Sequence, residues 1–170
     1  MRVVSLVPSW TETLLEAGVN VVGRTRFCIH PELRVQDIPA VGGTKDLDIS
    51  LLEKLKPDLL ILDREENLPW MADRNFAPSI HCSHVQSADD VPQELEVLSK
   101  ILGNSHLSSL AEEWRTVLAS PQFPKERVSE LRGVLQWIRK PQKEPQKLLY
   151  IIWRGPWMTV SRNTFVGSIL

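Results

Sequence analysis

The chain has 170 residues, enough for one ordinary domain or one and a half small ones. Its composition, 42% hydrophobic and 24% charged, is that of a soluble globular protein and excludes a disordered chain. With Lys+Arg 20 against Asp+Glu 21 it lacks the basic excess that nucleic-acid binding needs, and no apolar run approaches the roughly 20 residues that span a bilayer.

Residues 2–7 are short, apolar and valine-rich, and Pro8-Ser9 ends them, so they read as a buried strand. Residues 10–17 follow as a helix with Leu14 and Leu15 inward, Ser9 or Thr11 as its cap and Gly18 as its stop. A second short strand is expected over 19–23, then an irregular, proline-broken loop over 24–43. Residues 48–56 carry Ile49, Leu52 and Leu55 at helical spacing, with Ser50 and Glu53 in capping-box register and Pro57 as a stop. The run Asp58-Leu59-Leu60-Ile61-Leu62-Asp63 is apolar on both faces, the pattern of a strand inside a parallel sheet. A helix over 68–76, a strand over 79–82 and a helix opened by Pro92 and closed by Gly103 complete the alternation.

That order predicts an α/β fold: a parallel-sheet, Rossmann-like N-terminal lobe over residues 1–103 with helices on both faces. Beyond Gly103 the pattern changes. Leu107, Leu110, Trp114 and Val117 form one helical stripe, and Val128, Leu131, Leu135 and Ile138 form another, giving a helical connector and linker over 104–147. The basic residues Arg139, Lys140, Lys143 and Lys147 are broken up by prolines and Glu144 and read as solvated linker. Residues 148–170 hold one new apolar strand, Leu148 to Trp153, and a helix start at Thr164. A single strand cannot bury its own faces. It either joins the first sheet, begins a second α/β lobe that is incomplete at Leu170, or pairs with another molecule.

Ligands of α/β sheets bind beyond the carboxyl ends of the strands. Trp10, Trp153 and Trp157 fall in such loops, where they either meet a flat apolar ligand or simply cover the sheet ends. Gly42-Gly43-Thr44-Lys45 lacks the full spacing of a phosphate loop. Glu65-Glu66 offers two carboxylates at a strand end, for a metal, for acid–base work or for a helix start. His81-Cys82-Ser83-His84 has metal-ligand residue types without the further ligands a zinc site requires. Cys28 and Cys82 form neither a disulfide framework nor a CxxC motif, and no serine sits in a nucleophile elbow. No catalytic constellation stands out, so the chain reads as a binding module and not an enzyme.

The segments Val4-Ser5-Leu6-Val7-Pro8-Ser9-Trp10-Thr11-Glu12, Val22-Gly23-Arg24-Thr25, Val41-Gly42-Gly43-Thr44-Lys45, Leu55-Lys56-Pro57-Asp58-Leu59-Leu60, Asp63-Arg64-Glu65-Glu66-Asn67 and Trp153-Arg154-Gly155-Pro156-Trp157-Met158-Thr159-Val160 together resemble the helical-backbone periplasmic binding proteins. These are the ABC-importer receptors for cobalamin, haem and ferric siderophores, and the cobalamin-binding subgroup is the nearest match. The resemblance implies two α/β lobes joined by a stiff helix, a ligand in the cleft between them and no intrinsic cofactor or metal. It carries the ligand-binding role onto Pro8, Ser9, Trp10, Phe27, His30, Thr44, Lys45, Asp63 and Arg64, with Trp153 and Trp157 from the far side; His30 is the one cleft histidine able to approach a chelated metal.

It further implies an ABC transporter permease as partner, although the docking glutamate of the exported cobalamin receptor aligns with Ser50 here and Glu53 stands one turn away. Without a signal peptide in its opening residues the product is cytoplasmic as written, or periplasmic or cell-surface if an export signal lies outside this sequence. Two alternatives stand beside the binding reading. One is a tetrapyrrole metal chelatase using His30 with Glu65 or Glu66. The other is a non-binding remnant that forms a homodimer through residues 148–153.

Overall fold

The computed structural model describes residues 1–73, 75–119, 149–161 and 163–169. Four parallel strands, β1 (Val3–Ser5), β2 (Val21–Arg24), β3 (Leu59–Asp63) and β4 (Ser79–Ser83), pair in the order β2-β1-β3-β4. Pleating sends alternate residues to opposite faces. Val3, Val7, Leu59 and Ile61 therefore enter one apolar core, while Val4, Leu6, Leu60 and Leu62 enter a second on the other side of the sheet.

The first core is closed by α1 (Pro8–Glu16), α4 (Val91–Leu102) and α5 (Ser105–Ala119), through Leu14, Leu95, Leu98, Leu107 and Ala111. The second is closed by α3 (Ile49–Leu55) through Leu52, and by Met71 in a 3-10 turn at Pro69–Ala72. This is the expected three-layer arrangement, and it makes β3 apolar on both faces because both faces are covered.

Several local details differ from the sequence reading. Helix α1 begins at Pro8, whose missing N–H suits the first turn, and its cap is Val7 with no side-chain acceptor. Thr11 is instead buried, donating to the Val7 carbonyl at 2.9 Å, and Ser9 lies within the first turn. Asp48, not Ser50, caps α3: its carboxylate accepts from Leu51 N at 3.0 Å, and the helix starts two residues before a Ser50 cap would allow. The helix expected over 68–76 shrinks to the 3-10 turn, because Asp73 accepts from Asn75 N and offers the backbone a local alternative. The presumed loop over 24–43 contains a one-turn helix, α2 (Glu32–Val35).

The early part of the connector also belongs to the core. Helix α5 packs along α4, with Leu107 and Ala111 buried, whereas Val117 is exposed. The second helical stripe, Val128 to Ile138, and the basic linker lie outside the described residues. Among the described ones, the last apolar strand does not join the first sheet. Strand β5 (Ile151–Trp153) turns through Gly155 and pairs antiparallel with β6 (Met158–Thr159). A short helix, α6 (Phe165–Ile169), returns to the first core, where Phe165 packs and the Ser168 hydroxyl accepts from Ala88 N at 3.0 Å.

Candidate functional site

Because all four strands are parallel, Ser5, Arg24, Asp63 and Ser83 end on one edge of the sheet. The loops that leave this edge are fastened by two buried polar residues. Asn67 accepts from Asp63 N at 2.8 Å and donates to the Leu6 carbonyl at 3.3 Å and the Thr44 carbonyl at 3.1 Å. One side chain thus ties three loops together. Sequence reasoning treated Asn67 only as part of a helix start; its signal, an amide directly after a strand-end Asp-x-Glu-Glu turn, becomes meaningful only when the other loops arrive.

Ser83 is the second fastener. Its hydroxyl sits 2.8 Å from Asp63 Oδ2 and 3.1 Å from the Leu62 carbonyl, and it accepts the Trp10 indole N–H at 2.9 Å. Asp63 Oδ1 accepts from Glu65 N and Glu66 N. The relay Trp10–Ser83–Asp63 holds the turn that displays Glu65 and Glu66 at the sheet edge. A buried indole N–H and a buried hydroxyl would each be costly without a partner, so this relay orients the loop as well as stabilising it.

Over this edge a cavity of about 620 Å³ opens between α1, α4, α5, α6 and the loops after β1 and β3. Val7, Trp10, Val91, Leu95, Trp114 and Phe165 supply apolar wall. Glu12, Glu16, Asp63, Glu65 and Glu66 supply the charged lining, Ser9 and Thr13 add hydroxyls, and no lysine or arginine lines the cavity among the described residues. Desolvation raises the Glu66 carboxyl above its ordinary value, the charge of Asp63 pushes the same way, and Lys45 opposes.

The sequence-derived candidates divide accordingly. Ser9, Trp10 and Asp63 line the cavity. Trp10 does so as a core residue, 7% exposed with its N–H already bonded, which favours edge contact over a free stacking face. Pro8 opens α1 beside Ser9. Lys45 reaches the same loop, its Nζ donating to the Glu65 carbonyl at 3.3 Å, and Thr44 meets it through Asn67. Arg64 follows β3 and is exposed. Phe27 and His30 leave the end of β2 and are exposed, Phe27 under the Arg26 guanidinium at 4.9 Å. Trp153 and Trp157 stand 63% and 68% exposed on the hairpin, Arg154 lying over Trp157. Glu12, Glu16, Trp114 and Phe165 are not among the sequence-derived ligand candidates; helical periodicity marks Trp114 as apolar face but not as cavity wall.

Other motifs resolve into structural roles. Gly42 has φ +131 and no room for a Cβ against the Asp46 backbone carbonyl, while Gly43 lies against the ends of the Asp46 and Arg26 side chains. Gly42-Gly43 is therefore a tight turn closed by the Arg26–Asp46 ion pair at 2.7 Å, and that guanidinium holds the Asp46 carboxyl below its ordinary value. His81 pairs with Glu94 of α4, and among the described residues no three His, Cys, Asp or Glu side chains gather as a metal site. Burial, then Asp63, pushes the Cys82 thiol up, the wrong direction for a nucleophile. No described helix is long and apolar enough to cross a membrane.

No protein-family model and no curated protein matches this sequence. The fold, in contrast, matches solved structures along nearly its whole length. The periplasmic vitamin B12 binding protein BtuF of Vibrio cholerae superposes with a TM-score of 0.75 at 21% identity, over 99% of this chain and 62% of that one. The periplasmic heme-binding protein RhuT of Roseiflexus sp. RS-1 gives 0.72 at 22% identity, over 99% and 62%. IsdE of S. aureus, solved with heme, gives 0.71 at 16% identity, over 99% and 61%. The chain has the substrate-binding-protein fold. It spans about six-tenths of the length of these solved chains.

Proposed function

We propose that the protein is a binding module of the ABC-importer receptor type that takes a metal chelate, with a corrinoid as the leading candidate and a related metal tetrapyrrole or ferric siderophore as the wider class. The observation that carries this reading is the apolar-walled cavity at the carboxyl edge of the parallel sheet, the place where α/β folds receive ligands. The fold neighbours support it, since their names record vitamin B12 and heme binding. On this reading Pro8, Ser9, Trp10, Thr44, Lys45, Asp63 and Arg64 form one side of the ligand site. Phe27 and His30 flank it, and Trp153 and Trp157 approach from the hairpin. The ligand is cargo, with no resident cofactor, a permease is the natural partner, and the setting is periplasmic or cell-surface. The test is a titration with aquocobalamin, followed by tryptophan quenching and visible absorbance, with haem as comparator. Saturable binding that weakens in Trp157→Ala supports the reading; no saturable binding of either ligand overturns it.

The chelatase alternative is less well supported, because Glu65 and Glu66 line the cavity while His30 does not. Metal insertion into a porphyrin above background would revive it. The homodimer alternative draws on the hairpin, where Leu149, Tyr150, Ile151, Ile152, Trp153 and Trp157 are all exposed. Light scattering that finds a monomer at high concentration would remove it.

A further inference from the structure

The cavity is built to discriminate by charge. Its apolar wall calls for a flat or bulky apolar body, and among the described residues its ionisable lining is all carboxylate: Glu12, Glu16, Asp63, Glu65 and Glu66. Among the described residues four features offset that charge in part, and none does so fully. Arg34 lies 3.6 Å from Glu16, and both side chains are half exposed, so water screens the pair. Lys45 donates to the backbone of Glu65 and eases the charge on Glu66 without lining the cavity. Gln86 reaches Glu65 Oε1 at 3.4 Å but is neutral. The uncapped N-terminus of α1 contributes only about half a positive charge. Asp63 is fixed by Ser83 and two backbone amides, so its carboxylate cannot swing away from an incoming anion.

Resting on the metal-chelate reading above, we propose that this site selects chelates whose periphery is neutral, amide-bearing or cationic and excludes those that carry carboxylates. Amide N–H groups or a net positive charge meet the rim as hydrogen-bond donors or counter-charges. Propionates or other acid arms meet it as like charges in a partly desolvated space, where repulsion is stronger than in water.

The test compares ligands of one ring and two charges: ferric haem, with two propionates, against its dimethyl ester, with aquocobalamin as a cationic second probe. The full chain is used at neutral pH, and tryptophan quenching is the readout. The ester is expected to bind tighter than haem by about tenfold or more at low salt. That gap narrows at about 1 M salt, where the screening length falls to about 3 Å. The double variant Glu12→Gln/Glu16→Gln alters two exposed helix positions, so it retains the fold, and it is expected to raise haem affinity towards that of the ester. Equal affinities for haem and ester at low salt, or tighter binding of haem, overturn charge selection while leaving the metal-chelate reading standing. Failure of all three probes to bind overturns both.

Discussion

Two apolar strands of this chain look alike in sequence and end in opposite environments. In β3, Leu59, Leu60, Ile61 and Leu62 are at most 1% exposed, because α1, α4 and α5 cover one face and α3 the other. In β5, Ile151, Ile152 and Trp153 are 53%, 47% and 63% exposed, although the run is as apolar. A two-faced apolar pattern therefore identifies a strand and states that it needs cover on both sides. It does not say what supplies the cover. For β3 the covering helices are written into the adjoining sequence; for β5 the only strand paired with it among the described residues is the equally exposed β6.

The sharpest way to break that comparison is truncation in each strand. Leu60→Ala is expected to cost about 2–5 kcal/mol in chemical denaturation, since it opens a void in a packed core. Ile152→Ala is expected to fall within about 0.5 kcal/mol of the parent. A large cost for Ile152→Ala would mean that the hairpin is covered in solution, by a second copy or another surface.

Asn67→Ala tests the polar fastening on the first sheet and is expected to cost about 1–3 kcal/mol, because it leaves buried partners on three loops unpaired. It should also weaken ligand binding, as the loops of the sheet edge lose their common tie. A stability loss with unchanged affinity would separate Asn67 from the site.

Asp48→Ala is expected to cost about 1 kcal/mol and Ser50→Ala a few tenths, the order reversing if the capping box of the sequence operates instead.

The smallest effect is Glu66→Gln. The folded state raises this carboxyl above its ordinary value, so folded protein holds more proton than unfolded protein between those two values. Its contribution to stability therefore falls as pH rises from the ordinary carboxylate range through the raised value. Glu66→Gln should raise the melting temperature modestly at neutral pH and leave it unchanged in acid below both values.

The legibility of the chain follows from the range of the interactions involved. Each of the four parallel strands is readable from its own four to six residues, and α4 from its Pro92 start and Gly103 stop, because apolar periodicity and backbone punctuation are local. The caps fall at Val7 and Asp48, two to four residues before the Ser9, Thr11 and Ser50 that the sequence offers, since several nearby polar side chains compete for the same amides and only the chain trajectory chooses among them. The helix over 68–76 failed for a similar reason, with the Asp73 turn winning over weak helical spacing. Of the site, the strand-end positions Ser9, Trp10 and Asp63 were legible because a parallel sheet dictates which ends face a ligand.

The sequence by itself determined the layered α/β order, the two-sided core of β3 and the strand-end edge over which the cavity opens, all consequences of local pattern and of the handed, parallel packing that the pattern demands. Tertiary structure alone decided that Asn67 and Ser83 fasten the loops, and that Trp10 belongs to the wall rather than standing free. It also decided that Glu12, Glu16 and Glu66 share one cavity with Trp114 and Phe165. Those residues lie up to 153 positions apart in the chain, from Glu12 to Phe165, and nothing short of the folded packing brings their charges and apolar surfaces into a common field.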